Sequence, residues 1–268
     1  MRKRLGVVVP YRDREQHLAE FLATVPSFLS ESPRCEHVTA RILIVEQVPG
    51  KPFNRGSLCN VGARILGDSV DYICLHDVDT LPIDADYSWP EQPSMIVVHG
   101  LKFGAELARK LFGTVVLIQQ AQFIAANGFS NEYWDWGFED VDLRERLLRC
   151  GFRPGHREGT FRSLPHPDLG SNPDGTPSEQ FKVNQAIYLA RWLEAVPGGW
   201  RRQPNPSDRW RRDGLNSIQF DAVRPRKTLS GETAHGILTE SIAVDFAPPP
   251  HDQADRPPPT MEPSTDQS

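Results

Sequence analysis

The chain has 268 residues, 38% of them hydrophobic, and a net charge of −5. This suits one large α/β domain or two small ones, and the acidic balance argues against a nucleic-acid partner, which needs a basic face. Four scattered cysteines without a C-x-x-C pair argue against a zinc cluster or a disulfide framework, and no apolar run reaches the ~20 residues of a membrane span.

The first half alternates strand-like and helix-like signals. Residues 5–9 are a β-branched run ending at Pro10 and read as a buried strand. Residues 14–29 carry Leu18, Phe21, Leu22, Val25, Phe28 and Leu29 at helical spacing. Residues 38–45 form a second strand, 54–66 a second helix and 71–75 a third strand. That alternation predicts parallel strands with crossover helices. In such sheets ligands bind beyond the carboxyl ends of the strands. "PYRDR" follows the first strand and "HDVD" the third, so both fall at such ends. Residues 95–99 and 115–118 read as further strands, 130–137 as an aromatic loop, and 139–148 and 181–193 as helices. Residues 237–246 read as a late strand, and the Pro-rich stretch 247–268 as a disordered tail. Residues 1–246 are then one domain.

Asp77 and Asp79 suit Mg²⁺ or Mn²⁺, hard cations that take carboxylate, phosphate and water. In an extended segment both side chains project to one side, with Val78 turned into the core. The same two residues also serve a capped turn. In "WDWGFEDVD", Glu139, Asp140 and Asp142 open a helix, where the dipole alone favours acids. The tryptophans upstream add a surface on which a sugar can stack, and a carboxylate there can accept a hydroxyl proton. Tyr11, Arg12, Arg14, Phe53 and Arg55 follow strands one and two. Arginine recognises phosphate through two parallel hydrogen bonds and an aromatic ring stacks on a base, so the set reads as one nucleotide pocket. His166 is the leading histidine for a metal, with His76, His99 and His156 as rivals.

These stretches resemble the metal-dependent β-1,4-galactosyltransferases, glycosyltransferase family 7. The matching runs are "VVVPYRDREQHL", "FNRGSLCNVGA", "LHDVDTLP", "LKFG", "NGFSNEYWDWGFEDVDLRERL", "GTFRSLPHPD" and "DGLNSIQFDAV", in the family's order over residues 5–246. "HDVDTLP…DYSWPE", "TFR" and "QFKV" look nearest the xylosylprotein galactosyltransferase branch. The resemblance implies an α/β GT-A fold with a mainly parallel central sheet. It implies an inverting transfer from UDP-galactose to a sugar hydroxyl, with Mn²⁺ as cofactor and Mg²⁺ as the substitute.

Carried over by the resemblance, Pro10, Tyr11, Arg12, Arg14, Phe53 and Arg55 hold the uridine diphosphate. Asp77 lies by the ribose, Val78 between the acids, and Asp79 on the metal with His166. Lys102 lies near the donor phosphates. Trp136 and Gly137 belong to a loop that closes over both substrates. Glu139 contacts sugar, and Asp140 is the catalytic base.

The chain departs from the family in three places. Asp135 stands where the loop has glycine, Val141 replaces an acid, and His166 comes one residue late, with Ser163 in the usual histidine place. Leu111 occupies the donor-selecting position and leaves UDP-GalNAc open beside UDP-galactose. A non-catalytic sugar-nucleotide or glycan-binding module is the alternative, against which the Glu139–Asp140 pair argues. A nucleotidyltransferase would want a glycine-rich loop after the first strand. Residues 197–212, with Trp200 and Trp210, are expected near the acceptor, a glycan or lipid-linked saccharide. Without the membrane stem of the family's Golgi enzymes, the expectation is a soluble bacterial-type member. It would work in the cytoplasm on a nascent polysaccharide, with peripheral membrane contact at most.

Overall fold

The computed structural model describes residues 2–35, 37–99, 112–165, 170–197, 199–230 and 237–246. Lys102, Leu111, His166, the side chain of His99 and the stretch 247–268 lie outside the described residues.

The expected start is present: β1 (Lys3–Tyr11), α1 (Glu15–Glu31), β2 (Val38–Gln47), α2 (Arg55–Leu66) and β3 (Tyr72–His76). β1 pairs in parallel with both β2 and β3, with Val7 opposite Ile42 and Cys74. The side-chain period of two splits these strands between two cores. Val7, Val9, Ile42, Ile44 and Cys74 pack with Phe21, Val25 and Leu29 of α1. Val8, Leu43, Val45, Ile73 and Leu75 pack with Leu58, Val61 and Leu66 of α2. Both faces are covered, which is why these strands are apolar throughout. Each such side chain contributes roughly 1.5–3 kcal/mol.

Two small details set α2 in place. Asn54 caps it, its side-chain oxygen accepting from the Ser57 N–H at 2.9 Å, worth about 1 kcal/mol against alanine. Gly62 lets the helix press onto β1, since a Cβ there would come within 2.3 Å of Val8. Together they aim the first residue of α2, Arg55, at the end of β3.

The remaining elements are β4 (Thr80–Ala85), β5 (Ser94–His99), β6 (Val115–Gln119), α3 (Gln120–Ala125), α4 (Glu139–Arg149), β7 (Gly155–Ser163) and α5 (Glu179–Trp192). β8 (Leu193–Val196), β9 (Gly199–Arg202), α6 (Arg209–Arg212), β10 (Phe220–Ser230) and β11 (Leu238–Phe246) follow. Nine strands form one sheet in the order β10-β11-β2-β1-β3-β6-β5-β7-β4, and β8 pairs with β9 apart from it. The sheet is mixed rather than mainly parallel. The run β11-β2-β1-β3 is parallel, as is β5 with β7. The other four neighbouring pairs are antiparallel. No helix among the described residues is long and apolar enough to cross a membrane.

Candidate active site

Asp77 and Asp79 lie in a turn between β3 and β4, not in an extended segment. The Asp77 N–H donates to the Thr114 carbonyl at 2.9 Å, and the Thr80 N–H returns to the Asp77 carbonyl at 3.3 Å. Val78 packs inward as expected. Each acid meets an arginine from the end of another element. Arg14, before α1, places Nη1 2.7 Å from Asp79 Oδ2. Arg55 places Nε 2.8 Å from Asp77 Oδ1, and its Nη1 stands 3.8 Å from Glu139 Oε1. Nη1 and Nη2 of Arg55 are buried and make no hydrogen bond, Nη2 lying 2.8 Å from Asp77 but off the bonding direction. Unsatisfied buried donors cost about 1–3 kcal/mol each, so they suit a site that receives an oxyanion.

Tyr11 is buried at the end of β1, where Pro10 pairs with Val45. Arg12 donates to the Lys51 carbonyl at 2.6 Å and lies over the Phe53 ring at 5.2 Å. Of the five residues read as a nucleotide pocket, Arg14 and Arg55 thus sit beside the acid pair and Arg12 stacks on Phe53, while Tyr11 is buried in the core on the α1 side.

Glu139 and Asp140 begin α4, after Phe138 in the left-handed region. Burial pushes the Glu139 carboxyl up and the Asp140 charge adds to it, while Arg55 opposes. Burial also raises Asp140, against Arg55 and backbone N–H groups including that of Val141, which donates to Oδ1 at 2.8 Å. A Cβ on Gly113 would lie 3.1 Å from Asp140 Oδ2, so glycine lets the backbone approach that carboxylate.

The tryptophan loop leans on this cluster. Trp136 is 41% exposed and stacks on Phe181 at 5.7 Å, with an interplanar angle of 22°. Gly137, at φ 107°, passes where a Cβ would meet Phe181 at 2.9 Å. Asn184 of α5 donates to the carbonyls of Trp134 (2.8 Å) and Trp136 (3.1 Å). Asp135 takes the left-handed conformation expected of a glycine position, φ 53°. It exchanges two hydrogen bonds with Phe53: its N–H to the carbonyl at 2.6 Å, and the Phe53 N–H to its Oδ1 at 3.0 Å. The loop is thereby tied to the nucleotide-facing segment.

Several expectations are corrected. Asp142 does not face the site. It is fully buried and accepts from Arg146 Nε (2.5 Å), Trp192 Nε1 (2.7 Å), Arg191 Nη1 (2.9 Å) and Tyr133 Oη (3.0 Å). Burial alone would raise its pKa, but Arg146 and Arg191 hold it below the ordinary value. Asp213, the start of "DGLNS", joins the same network through Arg191 at 3.2 Å and the Asn131 N–H at 2.9 Å. Trp210 is buried against Trp192, so of the two tryptophans expected near an acceptor only Trp200 is exposed. His76 is buried with both ring nitrogens engaged, and is no metal ligand. Sequence reasoning gave no role to Asn60, Asn131 and Arg146, though all three fall inside the matching runs, nor to Arg191; their roles rest on contacts between distant segments, as where Asn60 accepts from the Phe129 N–H at 2.9 Å.

Among the described residues no three His, Cys, Asp or Glu side chains converge as a metal cage. Asp79 is a hard donor suited to a divalent cation that completes its shell with phosphate and water. The Leu164 N–H donates to the Asp79 carbonyl at 2.7 Å, which ties the residue just after β7 to the acid pair.

Comparisons with known proteins identify the family. Residues 1–89 match the model of the N-terminal region of glycosyl transferase group 7, and residues 101–167 the model described as the N-terminal domain of galactosyltransferase. β-1,4-Galactosyltransferase 4 of Mus musculus is 32% identical over 250 residues, covering 91% of this chain and 64% of the relative. β-1,4-Galactosyltransferase 7 of Drosophila melanogaster is 33% identical over 153 residues, 56% of this chain and 46% of the relative. The chain therefore spans less than two thirds of these relatives' length. The crystal structure of the catalytic domain of the Drosophila enzyme with xylobiose superposes with a TM-score of 0.69 at 22% identity, covering 94% of this chain and 98% of that one. A point mutant of it, solved with manganese, UDP-Gal and xylobiose, gives the same TM-score at 21% identity. The fold is GT-A, and the chain belongs to the glycosyl transferase group 7 family, that of the β-1,4-galactosyltransferases.

Proposed function

We propose that this chain is an inverting, Mn²⁺-dependent galactosyltransferase, moving galactose from UDP-galactose to a sugar hydroxyl of a glycan or lipid-linked saccharide. The observation that carries the reading is the convergence of Arg14, Arg55, Asp77, Asp79, Glu139 and Asp140 at the carboxyl ends of β1 and β3. The solved relative with manganese, UDP-Gal and xylobiose supports it. Residues 1–246 would form the catalytic unit.

Arg14 and Arg55 bind the diphosphate, the unsatisfied Nη1 and Nη2 of Arg55 gaining acceptors. Arg12 covers one face of the Phe53 ring, which would stack on the base with the other, and Lys102 assists at the phosphates. Asp79 and His166 would hold the divalent ion, which neutralises charge on the departing diphosphate when bound. Asp140 Oδ2 takes the proton from the attacking hydroxyl. Its raised pKa makes it a stronger base than an exposed aspartate. Glu139 keeps the acceptor in place, and Trp136 and Gly137 exclude water, the competing acceptor.

The test is UDP release from UDP-galactose and UDP-GalNAc, with Mn²⁺ and a panel of sugar acceptors. Asp140→Asn should lower transfer by roughly 10²–10⁴-fold with the fold intact. An Asp140→Asn variant as active as wild type would sink the mechanism. Faster turnover of UDP-GalNAc would reassign the donor.

A further inference from the structure

His76 ends β3 with 0% exposure. Its Nδ1 lies 2.9 Å from the Asp77 carbonyl oxygen and its Nε2 2.8 Å from the Tyr87 hydroxyl. A carbonyl only accepts, so Nδ1 carries the proton. A buried imidazolium with no carboxylate on either nitrogen is too costly. The ring is therefore neutral, and Nε2 accepts from the Tyr87 O–H. Tyr87, two residues past β4, is itself fixed. Its carbonyl accepts from the Tyr72 O–H at 2.7 Å, and its ring lies parallel to the imidazole, centroids 5.9 Å apart. Phe21 of α1 meets His76 edge-on at 5.3 Å. Three segments thus fix one tautomer and one orientation.

The carbonyl that His76 holds is the one that closes the turn, since the Thr80 N–H also donates to it. Asp79 sits inside that turn. We propose that His76 is a positioning residue: through Nδ1–H it clamps the Asp77 carbonyl and so holds the turn that presents Asp79 to a divalent cation. Tyr87 sets the tautomer that makes the clamp possible. This rests on the reading of Asp79 as a cation ligand. Partners one step behind a metal ligand commonly change affinity by about 10–100-fold.

Imidazole ¹⁵N spectra of the full chain report the tautomer directly, with the His76 signal assigned by its loss in His76→Phe. Protonated Nδ1 and bare Nε2 are expected; protonated Nε2 overturns the clamp. Free Mn²⁺, read by electron paramagnetic resonance with UDP present, reports affinity. His76→Phe should weaken Mn²⁺ binding at least about tenfold. The double variant His76→Phe/Tyr87→Phe removes the hydroxyl stranded by the first change. It should regain thermal stability and not Mn²⁺ affinity. His76→Asn, whose amide N–H can reach the same carbonyl, should regain part of the affinity. Affinity that returns with stability in the double variant, or a His76→Phe protein that binds Mn²⁺ like wild type, overturns the proposal. A wild type that binds no Mn²⁺ overturns the cation reading of Asp79 itself.

Discussion

Two clusters of acids and arginines meet at the start of α4, three residues apart, and they are built to opposite ends. Around Asp142, one carboxylate accepts four hydrogen bonds from Arg146, Arg191, Trp192 and Tyr133. Around Glu139 and Asp140, carboxyls are raised by burial and two Arg55 nitrogens have no hydrogen bond. The first cluster is complete without a ligand and holds α4, α5 and "DGLNS" together. The second keeps buried guanidinium nitrogens without an acceptor, which the proposed function assigns to the donor diphosphate. The same residue types serve structure where every polar atom is satisfied, and chemistry where some are not.

The largest effect that can break this contrast is on folding. Asp142→Ala removes the shared acceptor of four buried donors, two of them guanidinium groups, and should cost about 3–5 kcal/mol of stability by chemical denaturation. A loss confined to activity, with stability unchanged, would move Asp142 into the catalytic cluster.

The pH responses have opposite signs. The Asp142 pKa is depressed in the fold, so its contribution to stability is present above the unfolded value and lost as pH falls through the folded one. Glu139 and Asp140 are raised. Their contribution is present below the unfolded values and lost as pH rises through the folded ones. Asp140 must be ionised to take a proton, so the acid limb of kcat/KM should lie above the ordinary aspartate value of about 3.9. Asp142→Asn should lose least relative to wild type in acid. A kcat/KM profile flat through the acid range would contradict the base assignment.

The smaller effect concerns Arg14, whose guanidinium sits on the carboxylate assigned to the cation. Arg14→Met should tighten binding of Mn²⁺ alone by about fivefold, the scale of a partly exposed ion pair, and weaken binding of UDP. Calorimetric titration of each separates the two. Equal weakening of both would make Arg14 a scaffold residue instead.

The sequence carried the first half of the fold well. Residues 3–76 alternate apolar strands and amphipathic helices, and both signals are local. β4 and β7 were silent, because Pro82 interrupts one and charged Arg157, Glu158 and Arg162 punctuate the other. Antiparallel partners near one sheet edge need no apolar run on both faces. The residues read at strand ends do meet: Arg14 with Asp79 and Arg55 with Asp77, and Arg55 also reaches Glu139 at the start of α4. The role of Asp142 was not legible, because it rests in part on Arg191 and Trp192, 49 and 50 residues away, which hold that side chain inward. Asp135 could be seen as a departure, but its pair of hydrogen bonds with Phe53 spans 82 residues and no pattern foretells it.

The most direct test of the contrast is calorimetric titration of UDP with Mn²⁺ into wild type and Arg55→Met, beside their unfolding curves. The account predicts one saturable site in wild type, weakened at least about tenfold in Arg55→Met, as the loss of a charged hydrogen-bonding partner implies. It predicts a stability loss smaller than that of Asp142→Ala, since Arg55 gives one hydrogen bond, to Asp77, where Asp142 accepts four. Unaltered UDP affinity, or a stability loss as large as that of Asp142→Ala, would contradict it.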